Sequence, residues 1–267
     1  MDIATWNVNS INARLPLLLD WLQEHQPDVV CLQETKATND KFPVEPLAAL
    51  GYHLVYIGQK TFNGVAILSQ TEITEVNKGW PGGGEDAQKR LIMATVNNIK
   101  IINAYIPNGS EVGSEKFAYK LAWLDKLQAL LQEQYDPKQL VLLCGDFNIA
   151  PEERDVFSVK EMTNQVGFHP DERQALQKVK DWGFVDAFRL HNQETEFSWW
   201  DYRAVSFRRN RGLRIDHIWL SEPLAKLCTT CWIDKVPRGW EKPSDHTPVI
   251  ARFDLTGGCH PDGTGST

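Results

Sequence analysis

The sequence predicts an α+β fold, a four-layer α/β-sandwich in which two mainly antiparallel or mixed β-sheets pack face to face and helices cover the outer faces. Many short apolar segments of strand length are interspersed with two long segments of helical periodicity, as in layered domains. In addition, strand DIATW leads into Asn7 and Asn9 just as strand LVLLC leads into Asp146 and Asn148. Two halves of one design would form two packed sheets whose strand ends meet at one edge, although this echo is too weak to establish a duplication.

The two long helices are predicted from apolar residues at helical spacing. The first spans about 10–25 and can be capped by Asn9 or Ser10. The second spans about 114–134. Its inner face is formed by Phe117, Leu121, Leu124, Leu127 and Leu131. Weaker signals predict a short helix near 44–50 and another near 171–182, where Asp171 and Gln174 resemble a capping box.

Apolar segments bounded by turn residues predict the strands. They occupy residues 2–8, 28–33, 52–57, 64–70, 73–78, 90–97, 99–106, 139–145, 185–190, 196–200, 214–221, 230–236 and 246–255. Hydrophobic residues make up 42% of the 267, which is enough to bury a full core. We therefore expect a single catalytic domain over residues 1–256 and a disordered tail at 257–267.

Neither a membrane span nor a secretory leader is expected, because no stretch approaches about 18 uninterrupted apolar residues and the chain begins directly as a strand. The five cysteines suit a reducing compartment, and a cytoplasmic location is predicted. Cys228 and Cys231 form a CxxC that could bind zinc together with Cys259 and His260. Because the second pair lies in GGCHPDGTGST, which has the composition of a disordered segment, buried thiols are the favoured interpretation.

The net charge of −7 argues against a generally basic nucleic-acid-binding surface. One segment departs from this balance, since arginines and aromatic residues are interleaved between 199 and 214. Its members are Arg203, Arg208, Arg209, Arg211 and Arg214, with Trp199, Trp200, Tyr202 and Phe207. A solvated turn is the plain alternative, but the pattern favours contact with a phosphate backbone.

Several predicted strands end in polar residues of a few types. This strand-end set comprises Asn7, Asn9, Gln33, Glu34, Lys36, Tyr105, Asn108, Asp146, Asn148, Asp216, Asp245 and His246. A single Asp or Asn at a strand end is usually a turn former. Three or more carboxylates with several amides, and no cysteine or histidine cluster, are instead hard oxygen ligands suited to Mg²⁺ or Mn²⁺. Strand alternation would place Asp146 and Asn148 on one face.

Seven segments, taken in order, carry a resemblance to a known family: NVNS, QETK, YIPNG, GDFNIAP, FSWWDYR, NRGLRIDHIWLS and KPSDHTPV. Over residues 1 to about 255 the chain resembles the bacterial exonuclease III family of apurinic/apyrimidinic (AP) endonucleases, within the endonuclease/exonuclease/phosphatase superfamily. QE, GDxN and SDHxP occur across the superfamily and imply only the fold and phosphodiester chemistry. ETK, YxPNG, FSWWDYR and NRGLRID are narrower and imply the DNA-repair branch.

The resemblance implies a Mg²⁺ site, with Mn²⁺ as a substitute, among Asn7, Glu34, Asp146, Asn148, Asp245 and His246. Asp146 would orient or deprotonate the attacking water, and Asn148 would hold the scissile phosphate or that water. His246, oriented by Asp216, would stabilise charge on the phosphoryl oxygens. Tyr105 would hydrogen-bond the phosphate, with Lys116 nearby. These residue types suit the reaction, because phosphodiester hydrolysis builds negative charge that a metal and fixed donors stabilise.

The resemblance also implies a substrate, double-stranded DNA containing abasic sites or 3′ ends. Nothing in the sequence suggests more than a monomer. An abasic sugar would be turned out of the helix into an apolar pocket. The matching positions are Trp199, Leu213 and Ile215, unless Trp199 is simply a core residue. Arg203, Arg209 and Arg211 would clamp the strand, and Arg90 would do so on the opposite rim.

The leading hypothesis is therefore a Mg²⁺-dependent AP endonuclease with 3′→5′ exonuclease activity, together with trimming of blocked 3′ ends as a phosphodiesterase or phosphatase. The alternative within the same fold is a phosphatase or phosphodiesterase acting on a small phosphoester. A third hypothesis is a DNA-damage-binding module without catalysis, which is disfavoured because every expected catalytic position is filled.

Overall fold

The computed structural model describes residues 1–83 and 88–256, and the strands in these ranges form two six-stranded sheets. The first sheet contains β1 (Asp2–Asn7), β2 (Val29–Gln33), β3 (His53–Ile57), β4 (Val65–Ser69), β11 (Cys228–Ile233) and β12 (Val249–Phe253), in the spatial order β11-β12-β1-β2-β4-β3. The second contains β5 (Thr74–Lys78), β6 (Leu91–Val96), β7 (Ile99–Tyr105), β8 (Val141–Asp146), β9 (Phe184–Asp186) and β10 (Asp216–Ser221), in the order β5-β6-β7-β8-β10-β9.

Two long helices and one of intermediate length account for most of the helical residues. They are α1 (Ile11–His25), α3 (Glu115–Gln134) and α5 (Pro170–Lys180). Four short helices complete the set: α2 (Val44–Ala48), α4 (Val159–Met162), α6 (Ala187–His191) and α7 (Glu222–Ala225). Single 3₁₀ turns occupy Asn39–Lys41, Glu153–Asp155 and Val236–Gly239.

Three apolar clusters divide the molecule into four layers. One lies between the two sheets and includes Ile3, Ile101 and Leu142. A second joins the outer face of the first sheet to α1, where the rings of Trp6 and Trp21 meet edge to face at 5.6 Å. The third joins the outer face of the second sheet to α3 and α5. Burial of each leucine or isoleucine side chain stabilises the folded state by about 1.5–3 kcal/mol. The predicted two-sheet sandwich with outer helices is confirmed.

Each sheet contains one parallel pair of strands, and each pair is connected by one of the long helices. β1 and β2 are joined through α1, and β7 and β8 are joined through α3, while all other neighbouring strands are antiparallel. Parallel neighbours require such a crossover and end at the same edge of the sheet. The sequence echo therefore has a structural counterpart, because Asn7 ends β1 and Asp146 ends β8.

The beginning of α1 is tied to the end of β2 by main-chain hydrogen bonds. Ser10 occupies the N-cap position as predicted, but its side chain makes no capping hydrogen bond. Instead, the amides of Ser10 and Ile11 donate to the carbonyl oxygens of Glu34 and Thr35 at 2.8 and 3.0 Å. This junction holds the turn that carries Glu34.

Two predicted strands and one predicted cap differ in the structure. Residues 187–191 are helical, because the Asp186 side chain accepts hydrogen bonds from the amides of Phe188 and Arg189 and begins α6. Residues 196–200 form only isolated bridges, made by Trp199. The capping box of α5 is formed by His169 and Glu172, rather than by Asp171 and Gln174.

No helix among the described residues is long and apolar enough to cross a membrane. Cys31, Cys144, Cys228 and Cys231 are buried free thiols. Cys259 and His260, the other half of the zinc hypothesis, lie outside the described residues, as does the predicted tail at 257–267.

Gly145, immediately before Asp146, provides a test of how closely β7 and β8 approach. Its φ of +139° is unfavourable for other residues, and a Cβ there would overlap the carbonyl oxygen of Ala104. Gly145→Ala should lower the free energy of unfolding in urea by at least about 3 kcal/mol. Gly239→Ala is the matched control, because a Cβ there meets no atom within 4 Å. Equal stability of the two variants would contradict the assigned packing.

Candidate active site at the strand ends

Both sheets deliver polar side chains to one edge of the sandwich. The first sheet contributes Asn7 at the end of β1 and Glu34 just after β2, and the second contributes Tyr105 and Asp146 at the ends of β7 and β8. Antiparallel pairing of β8 with β10 then places Asp216 directly opposite Asp146. The two crossovers and this antiparallel pair place the residues at one edge of each sheet, and the packing of the sheets against each other brings the five side chains together.

Asn7 connects the carboxylates of the two sheets. Its fully buried amide nitrogen donates to Glu34 Oε2 at 2.9 Å and to Asp146 Oδ2 at 2.8 Å. Its side-chain oxygen Oδ1 accepts a hydrogen bond from the main-chain amide of Asn9 at 2.9 Å, which fixes the orientation of the side chain. In this arrangement Asn7 orients both carboxylates.

Glu34 lies in a turn of strained backbone. Glu34 and Lys36 have φ values of +54° and +51°, uncommon for residues with a side chain. Main-chain hydrogen bonds from Thr35 to Gly64 and from Lys36 to Asn63 hold the turn. The Lys36 ammonium lies 2.8 Å from Glu34 Oε1. Strain of this kind, held in place by surrounding structure, is typical of functional sites.

His246 lies between two buried carboxylates. Its Nδ1 is 2.9 Å from Asp216 Oδ2, and its Nε2 is 3.6 Å from Asp146 Oδ2. Ser198 Oγ donates to Asp216 Oδ2 at 2.7 Å. Burial lowers the pKa of His246, but the charges of Asp216 and Asp146 outweigh it and raise that pKa to about 10. The ring is therefore an imidazolium at neutral pH.

Asp146 has the properties of a group that exchanges protons near neutral pH. Burial raises its pKa to about 7, and the opposing effects of the His246 charge and the Asn7 hydrogen bond are smaller. A carboxyl group with a pKa near the working pH is suited to general base and acid catalysis. Asp216 contacts the Nδ1 of the imidazolium, and this contact fixes the orientation of the ring.

Asn148 is brought to Asp146 by a left-handed turn rather than by strand alternation. β8 ends at Asp146, and Asn148 has a φ of +53°. Its main-chain amide donates to Asp146 Oδ1 at 2.9 Å, and its side-chain amide donates to Asp146 Oδ2 at 3.2 Å. Asn108 donates to Asn148 Oδ1 at 3.0 Å. The predicted proximity of Asp146 and Asn148 is present, although its geometry was predicted wrongly.

Tyr105 faces the same space. Burial, reinforced by the charges of Glu34 and Asp146, raises the pKa of Tyr105 well above its ordinary value, so the hydroxyl keeps its proton and can donate. Arg90 stacks on the ring with its guanidinium 4.5 Å from the centroid and donates to the Tyr105 carbonyl oxygen at 3.2 Å.

A cavity of about 300 Å³ joins these polar groups to an apolar wall. Its lining residues are Glu34, Tyr105, Asn108, Asp146, Asn148, Val166, Gly167, Trp199, Leu213, Ile215, Asp245 and His246. Trp199 is partly buried, and its indole nitrogen donates to Asp245 Oδ2 at 3.0 Å. It is therefore a wall residue of the cavity rather than a simple core residue. The wall predicted from Trp199, Leu213 and Ile215 is present.

A comparison with known proteins decides the family. A family model described as the endonuclease/exonuclease/phosphatase family matches residues 4–246. The chain belongs to this family. It is 39% identical to the exodeoxyribonuclease III of Haemophilus influenzae over 266 residues, which cover 95% of this chain and 100% of the relative. It is 34% identical to the exodeoxyribonuclease of Bacillus subtilis over 255 residues, with coverages of 93% and 98%.

Two solved structures show the same fold. An AP endonuclease from Archaeoglobus fulgidus superposes with a TM-score of 0.93 at 43% identity, covering 96% of this chain and 100% of that one. A 3′-5′ exonuclease from Neisseria meningitidis gives a TM-score of 0.92 at 40% identity, covering 95% and 100%. The prediction of an exonuclease III-like nuclease, a phosphodiester hydrolase, is confirmed.

The side chains of this family member fit a divalent cation. Glu34, Asp146 and Asp245 present carboxylates to one cavity, and an oxygen-rich set of this kind prefers hard cations. Among the described residues, Asp146, Asp216 and His246 also have ligand atoms within 4.8 Å of one another. Because His246 Nδ1 is used by Asp216, the cation is better matched by the carboxylates that line the cavity than by that nitrogen.

The charged side chains predicted to contact DNA lie outside the cavity. Arg203 is 88% exposed and pairs with Asp201. Arg211 pairs with Glu161, and its guanidinium lies 4.1 Å from the ring centroid of Phe157. Further exposed members are Arg209 and Lys116. Their contacts with DNA stay a prediction.

Two members of the arginine and aromatic segment are buried instead of exposed. Arg214 is 1% exposed and pairs with Asp155 and Asp186, so its guanidinium is unavailable to a phosphate. Trp200 is fully buried, and its indole nitrogen donates to Asn210 at 3.3 Å. The prediction of five phosphate-contacting arginines was therefore wrong for Arg214.

A buried ion pair that was not predicted from the sequence supports the site. Lys120 on α3 and Glu172 on α5 pair with no exposed surface on either side chain. The Lys120 ammonium also donates to the carbonyl oxygens of Asn108 and Asn148, at 3.1 and 2.9 Å. Its position three residues after Phe117 on the inner helix face was the available signal.

We expect Asp216→Asn to lower the pKa of His246 by at least about one to two units, because a facing negative charge is removed. The folded pKa of about 10 lies above the value of about 6.5 for an unfolded histidine. In the wild-type protein, the interaction of His246 with the carboxylates therefore stabilises the folded state. This stabilisation is fully present below about pH 6.5 and is lost as the pH rises through about 10. NMR titration of the imidazole in metal-free protein measures this shift. An unchanged titration would contradict the assigned ion pair.

Proposed function

We propose that this protein is a Mg²⁺-dependent DNA repair nuclease that cuts the phosphodiester 5′ to an abasic site, leaving a 3′ hydroxyl. We propose in addition that it shortens or trims 3′ ends of double-stranded DNA. One observation carries the proposal: a single cavity combines the Glu34, Asp146 and His246 cluster with the apolar wall of Trp199, Leu213 and Ile215.

The polar side of the cavity supplies the groups that hydrolysis needs. Asp146 accepts the proton of the attacking water, since burial raises its pKa to about 7. The imidazolium of His246 and the hydroxyl of Tyr105 donate to the phosphoryl oxygens as charge develops there. Asn148 holds Asp146 and the entering group in place. Mg²⁺ held by Glu34 would stabilise the charge of the leaving oxygen.

The apolar side of the cavity supplies the selectivity. A sugar that has lost its base can enter against Trp199, Leu213 and Ile215, whereas an intact nucleotide must also accommodate its base. These wall side chains are apolar, apart from the indole nitrogen that bonds to Asp245. Selection therefore acts by shape, on a nucleotide turned out of the stack.

The relatives favour DNA over a small phosphoester as the substrate. The matches include two proteins named exodeoxyribonucleases, a protein named AP endonuclease and a Neisseria 3′ phosphatase bound to a DNA hairpin. Because these relatives are named as enzymes that act on DNA, we propose DNA as the substrate class of the present chain. Abasic selectivity and the balance of activities belong to the proposal.

We propose further that residues 1–256 act as one catalytic domain and that the enzyme works as a monomer. A single family model spans residues 4–246, which supports one domain. The buried free thiols agree with the predicted cytoplasmic location.

Cleavage of a labelled duplex with one abasic site tests the proposal. We expect incision 5′ to the site with Mg²⁺ and none with EDTA, resolved on a denaturing gel. Glu34→Ala and Asp146→Asn should each lower the rate by at least about 10²–10³-fold while binding of the duplex, followed by fluorescence anisotropy, persists.

The matched controls are Glu24→Ala and Asp125→Asn, which alter exposed carboxylates on the outer helices. Both should cut at the wild-type rate. Binding without cleavage by the wild-type protein would overturn the proposal in favour of a binding module. Turnover of small phosphoesters in preference to abasic DNA would favour the phosphatase alternative.

A further inference from the structure

Behind the apolar wall of the cavity lies a buried arginine that the reaction does not use. Leu213 and Ile215 line the cavity, whereas the side chain of Arg214, between them in sequence, points away from it and is 1% exposed. No atom of Arg214 lines the cavity. Its charge is therefore not available to the substrate.

Arg214 is held by two carboxylates in a fork geometry. Its Nε donates to Asp155 Oδ1 at 2.6 Å, and its Nη2 donates to Asp186 Oδ2 at 2.8 Å. The main-chain amide of Arg214 also donates to the carbonyl oxygen of Asp155 at 2.8 Å. Burial raises the pKa of Asp155, but the facing guanidinium outweighs it and holds that pKa below its ordinary value. Both side chain and backbone of Arg214 are thus fixed from behind.

Further contacts immobilise the two carboxylates. Arg189 on α6 pairs with Asp155, and the Asp186 side chain caps α6. His217 Nδ1 lies 3.2 Å from Arg214 Nη1, and its Nε2 lies 3.1 Å from the carbonyl oxygen of Ile149. The guanidinium is therefore connected to three separate parts of the fold.

On the cavity side, the segment 212–216 is fixed by hydrogen bonds to the neighbouring segment that contains Trp199. Leu213 and Trp199 exchange two main-chain hydrogen bonds, of 2.9 and 3.0 Å. Gly212 has no room for a side chain, because a Cβ there would lie 2.5 Å from the indole nitrogen of Trp200. Residues 212–216 are consequently clamped on both sides, and the position of the apolar wall depends on the clamp.

We propose that Arg214 is a positioning residue that sets the width of the cavity and so determines how strictly a nucleotide bearing a base is excluded. This inference rests on the proposed function of the cavity. An apolar pocket selects by size only as sharply as its walls resist displacement, since a wall that can move accommodates the larger group. Lysine cannot replace the planar fork that engages both carboxylates.

A graded series of substrates measures the effect. Duplexes carry at one position a tetrahydrofuran abasic analogue, the same sugar with a C1′ methyl group, or the same sugar with a C1′ phenyl group. For the wild type we expect kcat/KM to fall steeply along the series. In Arg214→Lys the ratio of kcat/KM between tetrahydrofuran and phenyl substrates should fall by at least about tenfold, since even one methylene of extra space in an apolar pocket changes discrimination by about 10–200-fold.

Three comparison variants separate positioning from general destabilisation. Ile215→Ala widens the wall directly and should relax the same ratio. Leu22→Ala removes a buried side chain of α1 on the other sheet, and should lower stability without changing the ratio. Arg189→Lys perturbs the contact with Asp155 and should also relax the ratio, by less than Arg214→Lys. If Arg214→Lys folds poorly, a wild-type ratio in Arg189→Lys would overturn the inference.

Hydrogen exchange in the absence of DNA provides a second readout. The amides of Leu213 and Ile215 should exchange at least about tenfold faster in Arg214→Lys, and at the wild-type rate in Leu22→Ala. Equal loss of kcat/KM on every substrate, or unchanged exchange at residues 212–216, would overturn the inference. If the wild-type protein does not cut abasic DNA, the proposed function fails, whereas the exchange measurement still decides whether Arg214 holds the wall.

Discussion

The hydrogen bonds of Asn7 join the two sheets into one site. Its amide donates to Glu34, which follows a strand of the first sheet, and to Asp146, which ends a strand of the second. Without a donor between them, two carboxylates from different sheets would approach each other with only their repulsion and desolvation cost. The connections between the strands bring these residues to the same edge of the sandwich. Each parallel strand pair needs a helical crossover, and each crossover delivers its strand ends to the same edge.

Burial determines the electrostatics around this junction. Asp146, Asp216 and His246 are almost fully buried, and each charge requires a fixed partner because water cannot supply one. The imidazolium of His246 pairs with the carboxylates of Asp216 and Asp146, and burial brings the pKa of Asp146 to about 7. Outside the cavity, buried charges are likewise paired, as in Lys120 with Glu172 and Arg214 with its two carboxylates. These pairs keep the loops and the apolar wall in place, so the chemistry and the shape of the cavity depend on one kind of interaction.

The fold and much of the site could be predicted from the sequence because residue type and periodicity carry that information locally. Polar residues at strand ends, such as Asn7 and Asp146, mark the edge where they meet, and α1 and α3 follow from their apolar spacing. The buried charges could not be predicted in the same way. Arg214 looks like its exposed neighbours, and only the distant Asp155 and Asp186 explain its burial. Residues 187–191 were misassigned because one cap by Asp186 outweighs a strand-like composition. Asn148 reaches Asp146 through a left-handed turn that alternation does not reveal.

The most direct test of the account is the activity and Mn²⁺ affinity of Asn7→Ala. If the Asn7 amide aligns Glu34 and Asp146, its removal should lower kcat on abasic duplex DNA and weaken Mn²⁺ binding, each by about 10–100-fold, as for other residues that orient ligands. Mn²⁺ binding is followed by electron paramagnetic resonance, and a urea unfolding curve confirms that the variant is folded. Wild-type kcat and wild-type Mn²⁺ affinity in a folded Asn7→Ala protein would contradict the central claim that this side chain unites the two sheets into one catalytic site.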